Sequence, residues 1–263
     1  MGNQMFQFAT AWLAARENNT SFLIDAWHAP FDLKIFKLSF PHNLLGFKVY
    51  SKIYTRLQTK FKFRKQVLNE DCREAFTGPF PDHAEYIGYF QNGAIYKDAR
   101  PDLMRLFEVK DIYCRQFKKR YTEVFTSPVL VISVRLGDYR NYRLQEFGDA
   151  EMLLPFEWYF EQIRKINYSE YKVYVISDEP ETVETEFSKQ GFDFEFVKDT
   201  VANQFQLLQH ADVAIITNST FAWWGAFLHK KPGCRIIAPK YFLGYHVKQE
   251  FPAGIQQVDF DWQ

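Results

Sequence analysis

Only three cysteines, Cys72, Cys114 and Cys234, occur in 263 residues, and none of them form a CxxC pair. That scatter excludes a disulfide framework and a thiolate zinc site, and it sets the expectation of a reducing, cytoplasmic location. Charge of one sign is lacking too. The 32 Lys and Arg residues balance the 32 Asp and Glu, so no overall field draws the chain to nucleic acid, and no nucleic-acid partner is expected. Long apolar runs are missing: nothing approaches the ~20 apolar residues of a membrane span. The opening MGNQMFQFATAW lacks the basic leader and unbroken apolar region of an export signal. The Asn-X-Ser/Thr triplets at Asn18 and Asn218 are therefore read as chance matches to a glycosylation sequon.

Several catalytic signatures are absent as well. There is no GxGxxG, no GxxxxGK[ST], no GxSxG and no HExxH, and the six histidines show no metal-like pairing. Asp259-Phe260-Asp261 matches a DxD pattern but lies outside any strand-to-loop context, so it is read as coincidence.

What the chain has in quantity is aromatic residues, 28 Phe, 15 Tyr and 6 Trp. Most are expected in the core, because large rings supply burial area wherever layers pack. The C-terminal half alternates short apolar runs with helical stretches. Strands are expected at Val129–Val134, Tyr171–Ile176, Phe194–Val197, Val213–Thr217 and Arg235–Ala238. Helices are expected between them, at Pro155–Ile166, Glu181–Gln190, Val201–His210 and Phe221–Lys230. The runs are short, β-branched and apolar throughout, which fits a parallel sheet covered on both faces and gives an α/β class. The N-terminal half is less regular. It predicts a helix over Gln4–Glu17, a strand over Phe22–Asp25 and a helix over Pro101–Phe107. The change of pattern near Phe125–Pro128 divides the chain into an N-terminal part, 1–126, and a C-terminal part, 127–263.

From Lys48 to Lys65 there are seven basic residues and no acidic one, and Lys48, Lys52, Arg56 and Lys60 recur at every fourth position. On a helix that spacing makes a basic stripe, either a solvated face or a surface for peripheral contact with an anionic membrane.

In open α/β sheets ligands bind beyond the carboxyl ends of the strands. Three such places carry polar residues. After Val134 come Arg135 and Asp138; a guanidinium fixed there can hold a diphosphate through parallel bonds, or pair with Asp138 to brace a turn. After Thr217 come Asn218, Ser219 and Thr220, then a helix. These residues can cap that helix, or leave its first amides as an anion site. After Ile176 comes Asp178, which can accept from a nucleoside or simply begin the next helix.

Gly2-Asn3-Gln4-Met5-Phe6-Gln7-Phe8-Ala9 resembles the GNQMFQYA segment of the alpha-1,2-fucosyltransferase family. Three further stretches agree in order and spacing: Gly88-Tyr89-Phe90-Gln91 with GYFQ, Ser133 to Tyr139 with HxRRGDY, and Thr217 to Leu228 with SNSSFSWWGAWL. Ser133 and Leu136 stand where that family has a His and a second Arg, and the strand that precedes GNQMF in the family is expected to be missing here. The resemblance implies two Rossmann-like lobes facing a cleft, of the GT-B type. It also implies GDP-fucose as donor, no metal or other cofactor, inversion at the fucose anomeric carbon, and a galactose-terminated glycan as acceptor through its 2-hydroxyl. On that reading Arg135 grips the diphosphate, Asn218, Ser219 and Thr220 share it, Gly2, Asn3 and Gln4 approach from the other lobe, and Asp138 is the candidate base or acceptor contact. The alternatives are an inverting transferase using another nucleotide sugar, and a non-catalytic member that binds a glycan or a partner.

Overall fold

A strand that is apolar at every position has no face to offer water, and in the protein such strands pair into one sheet buried on both sides. The computed structural model describes residues 1–22, 33–38, 53, 57 and 66–263. The N-terminal part contributes α1 (Gly2–Glu17), β1 (Gln66–Asn69), β2 (Ala84–Ile87), α2 (Ala94–Lys97), α3 (Arg100–Leu106) and α4 (Asp111–Arg120). The C-terminal strands are β3 (Val129–Val134), β4 (Arg143–Leu144), β5 (Ala150–Glu151), β6 (Lys172–Ser177), β7 (Glu195–Val197), β8 (Val213–Ile215), β9 (Arg235–Ala238) and β10 (Asp261–Trp262). Its helices are α5 (Phe156–Arg164), α6 (Pro180–Ser188), α7 (Val201–Gln209) and α8 (Thr220–Phe227).

Six strands form a sheet in the order β10-β9-β8-β3-β6-β7, every neighbouring pair parallel. Counted from β7, that order is third, second, first, fourth, fifth and sixth, the doubly wound arrangement in which the chain reverses direction across the sheet between β3 and β8. All six residues of β3 are buried, and alternate ones face opposite layers. Val129 and Val131 join a layer with Leu207, Leu208, Ala222 and Ala226 of α7 and α8. Leu130, Ile132 and Val134 join Trp158, Tyr159 and Ile163 of α5 and Val183 and Phe187 of α6.

Helix α8 is apolar on every side because it is covered on every side. Its small residues Ala222 and Ala226 lie toward the sheet, while Trp223, Trp224 and Phe227 share a second core with Met5, Phe6, Phe8 and Ala9 of α1. The Phe6 ring sits 4.9 Å from both Trp223 and Trp224 and 5.4 Å from Tyr96. Burying each such ring contributes about 1.5–3 kcal/mol, so the first helix is anchored to the last one before the sheet's edge strands. Gly225 lets α8 cross α7 closely, since a Cβ there would meet the Leu208 side chain at 2.7 Å. At the far end of α8, Arg100 of α3 donates to the carbonyls of Phe227 and His229, each at 2.6 Å, and places a cation where the helix dipole is negative.

Apart from Phe22–Asp25, the expected elements recur with ends shifted by at most three residues, the largest shift being at the end of α8, expected at Lys230 and found at Phe227. Helix α4 was not anticipated from the sequence: Phe117 is its only fully buried residue, and charged and polar residues outnumber the apolar Ile112, Tyr113, Cys114 and Phe117. The N-terminal part holds one two-stranded parallel sheet, β1-β2, among the described residues. The rest of the expected strand at Phe22–Asp25 beyond Phe22, and the basic residues between 48 and 65, lie outside the described residues. Among the described residues no helix is long and apolar enough to cross a membrane.

Candidate functional site

The reversal point between β3 and β8 puts the loop after Val134 beside the loop after Ile215. From β3 the chain runs into Arg135. Its Nε and Nη2 donate to Asp138 Oδ1 at 3.1 and 2.6 Å, and its Nη1 lies 3.2 Å from Asp178 Oδ2. Asp178, at the end of β6, also accepts the Leu136 N–H at 3.0 Å through Oδ1. Asp178 therefore braces the loop that carries Arg135. Burial works against the Arg135 charge, but Asp178 and then Asp138 outweigh it and push the guanidinium pKa up. Of five guanidinium N–H groups three are engaged, which leaves two for a ligand. The family-like second Arg position is filled by Leu136, which is buried in the α5-α6 layer, and Ser133 is buried too.

From β8 the chain runs through Thr217 and Asn218, both fully buried, into the start of α8. Asn218 spends its side chain internally: Nδ2 donates to the Met152 carbonyl at 2.6 Å and Oδ1 accepts from the Thr217 hydroxyl at 3.1 Å. Ser219 is the N-cap residue, extended, and its side chain makes no capping bond. Met1, the N-cap residue of α1, makes no side-chain capping bond either, and neither helix has an acidic residue in its first turn.

These two helix starts abut. A Cβ on Gly2 would lie 2.4 Å from both the Phe221 nitrogen and the Thr220 hydroxyl, so only glycine permits the approach. Each start carries roughly half a positive charge, and side by side without an acid they repel unless an anion lies between them. Asn3 ties them together: its Oδ1 accepts from the Thr220 hydroxyl at 2.9 Å and from Gln91 Nε2 at 3.0 Å. Gln4 follows on the same first turn of α1. Tyr139 joins the two halves, donating from its hydroxyl to the Asn218 carbonyl at 3.2 Å while its ring lies 5.7 Å from the Arg135 guanidinium. Burial pushes the Tyr139 pKa up to about 12, so the phenol keeps its proton.

Arg135, Asp138 and Asp178 thus form one cluster, and Gly2, Asn3 and Thr220 another, with Asn218 and Ser219 between them. Sequence reasoning assigned no role to Gln91, Tyr139 or Glu70, whose carboxylate accepts from the Tyr89 and Phe90 amides at 2.6 Å each. Gln91 and Tyr139 lie inside quoted motifs, which was the available signal; nothing in the sequence marks Glu70. Asp261 of the DxD triplet is an edge-strand residue paired with Arg235 at 2.6 Å.

The doubly wound sheet thus gathers Arg135 and the starts of α1 and α8 near its reversal point, the place where open α/β sheets bind their ligands. The chain belongs to glycosyl transferase family 11, which it matches over residues 1–250, and it is a glycosyltransferase. The resemblance drawn from the sequence is borne out at that level. The chain is 25% identical over 260 residues to an alpha-1,2-colitosyltransferase of Escherichia coli, covering 91% of this chain and 88% of that protein. It is 27% identical over 172 residues to the O-antigen biosynthesis glycosyltransferase WbnK of the same organism, covering 60% and 55% respectively. Among solved structures it is similar to the fucosyltransferase NodZ from Bradyrhizobium, at 14% identity and a TM-score of 0.49, covering 87% of this chain and 90% of that one.

Proposed function

We propose that the protein transfers L-fucose from GDP-fucose to the 2-hydroxyl of a galactose-terminated glycan, with inversion and without a metal. The observation that carries this reading is the meeting of the α1 and α8 starts beside Arg135. The donor lies in a cleft between two lobes, 1–126 and 127–263, with its diphosphate at that meeting point. As the bond from the anomeric carbon to the phosphate oxygen breaks, negative charge grows on the diphosphate, and fixed amides and a guanidinium stabilise it without reorganising. The acceptor oxygen forms its bond to the anomeric carbon from the opposite face. Asp138 binds Arg135 through Oδ1 alone, and its other oxygen takes the hydroxyl proton. Membership of glycosyl transferase family 11 supports the reaction class, and the 1,2 linkage is shared with the name of the colitosyltransferase relative.

That relative also motivates a second reading, transfer of a different sugar from a nucleotide donor. Incubation with GDP-fucose and a galactose-terminated oligosaccharide in excess EDTA tests the first reading. Product with a 1,2-linked fucose is expected; transfer from another donor in a panel of nucleotide sugars, and not from GDP-fucose, selects the second. Failure of every donor overturns both. A cytoplasmic enzyme resting on an anionic membrane through Lys48, Lys52, Arg56 and Lys60 completes the proposal, and absence of flotation with acidic vesicles at low salt would remove that part.

A further inference from the structure

Gln91 is a buried amide, only 4% exposed, and burying an amide costs free energy unless its hydrogen bonds are made. Among the described residues its side chain makes a single hydrogen bond, Nε2 donating to Asn3 Oδ1 at 3.0 Å. The backbone beneath it is held with unusual care. Glu70 accepts from the amides of Tyr89 and Phe90, Gln7 Nε2 donates to the Gly88 carbonyl at 2.9 Å, and the buried Tyr96 hydroxyl donates to the Phe90 carbonyl at 2.6 Å. Phe90 sits at φ 55°, a left-handed backbone that a bulky residue adopts at a cost of order 1–3 kcal/mol. Four fixed points and a strained residue therefore serve to place one side-chain nitrogen.

What that nitrogen does is settle the orientation of Asn3. With Oδ1 accepting from both Gln91 and Thr220, an Asn3 carboxamide turned end for end would set its –NH2 against the Gln91 donor, so Gln91 in this orientation disfavours that rotation. The Asn3 Nδ2 has no partner among the described residues, and it belongs to the first turn of α1, beside the bare start of α8. We infer that Gln91 is a positioning residue: it holds Asn3 so that the Asn3 amide N–H groups are offered to the donor diphosphate. The inference rests on the proposed nucleotide-sugar reading, and it adds a residue that touches neither donor nor acceptor.

The test is calorimetric titration of GDP into the full chain and three variants, Gln91→Met, Asn3→Ala and the double variant, with thermal midpoints measured alongside. Methionine keeps the volume and removes the donor. Gln91→Met is expected to weaken GDP binding about tenfold, the scale of one mispositioned hydrogen bond to a charged group. Because it acts through Asn3, it should have no further effect when Asn3 is already alanine. A merely structural Gln91 predicts a lowered midpoint and equal losses in both backgrounds, and that outcome overturns the inference, as does wild-type affinity in Gln91→Met. If methionine lowers the midpoint, the isosteric Gln91→Glu replaces it. Its carboxylate accepts where the amide donated, so Asn3 must turn its nitrogen toward residue 91 and away from the diphosphate; the resulting loss of GDP affinity should shrink in the Asn3→Ala background, whereas a loss of equal size there is charge repulsion alone and overturns the inference. Should the wild-type chain bind no GDP, the nucleotide reading fails, and crystal structures decide the positioning claim by themselves. An Asn3 carboxamide that rotates or loses its single orientation in Gln91→Met supports it; an unchanged one sinks it.

Discussion

The two halves of the candidate site are made of different materials. Around Arg135 the contacts are ionic and partly open to water, with side-chain exposures of 37%, 46% and 23% for Arg135, Asp138 and Asp178. Around Asn3 they are neutral amides, a hydroxyl and helix starts, packed against the Trp223-Trp224 core. The ionic half holds one cation between two carboxylates, so it has no surplus positive charge to attract a diphosphate. The neutral half carries no formal charge, yet two helix dipoles point their positive ends into it. On the proposed reading, attraction belongs to the helix starts, while Arg135 supplies directed bonds whose worth rises as the leaving group gains charge.

The largest effect is expected at Arg135. Replacing it with Ala removes the directed bonds and leaves Asp138 and Asp178 facing a diphosphate unopposed. Turnover should fall by two or more orders of magnitude, about 3–4 kcal/mol. Because the side chain is a third exposed and lies outside the cores, the thermal midpoint should hold. Steady-state rates with GDP-fucose, set against a melting curve, check this; near-normal turnover would falsify the role given to the ionic half.

Gly2→Ala strikes the neutral half. The new methyl would lie 2.4 Å from the Phe221 nitrogen, a backbone atom that cannot yield as a flexible side chain would. The helix starts must separate, at about 1–3 kcal/mol of stability, and GDP affinity should fall with it. Calorimetry beside a denaturant melt reads both quantities. Loss of stability with GDP binding untouched would detach the helix starts from the anion site.

Asp178→Asn sharpens the ionic half. The amide can still accept the Leu136 N–H through its oxygen, but it no longer opposes the Arg135 charge. Arg135 is then less firmly held and the site less negative, so GDP binding should tighten slightly while turnover drops about tenfold from a loosened guanidinium, roughly 1.4 kcal/mol. A turnover loss matched by equal loss of GDP affinity would mean that Asp178 contacts the donor directly, as a nucleoside acceptor.

How much of this could be read in the sequence differs between the halves for the same physical reason that their chemistry differs. The ionic half is local in sequence: Arg135 and Asp138 are three residues apart, and the β-branched run before them marks a buried strand whose end must carry the loop. Strand and helix positions through 129–238 follow from that same uninterrupted apolar pattern. The neutral half is assembled from residues 2–3, 91 and 218–220, and no periodicity relates them. The core that α1 and α8 share, with Phe6 packed against Trp223 and Trp224, brings them together. The α8 start was legible as a helix boundary, but not that Ser219 leaves it uncapped, because a serine at that position ordinarily caps. Helix α4 buries one residue fully and is mostly charged or polar, and β10 is two residues long at the sheet edge, so neither offers a long apolar run to read.

The smallest effect tests whether the halves are coupled at all. Tyr139 is their one direct bridge among the described side-chain hydrogen bonds, from the loop that carries Arg135 to the carbonyl before Ser219. Tyr139→Phe keeps the ring, and with it the contact beneath the guanidinium, and deletes only the hydroxyl. The bond is long, 3.2 Å, so its loss should cost only about 0.5–1 kcal/mol. Burial keeps the phenol protonated well beyond neutral pH, so the effect should be flat with pH rather than titrating. If the bridge serves to align Arg135 with the helix starts, the cost appears in turnover at saturating donor, and it vanishes in an Arg135→Ala background where nothing remains to align. If it only stabilises the loop, the cost appears in the melting curve and persists in that background. The second result would leave the two halves as neighbours that act independently.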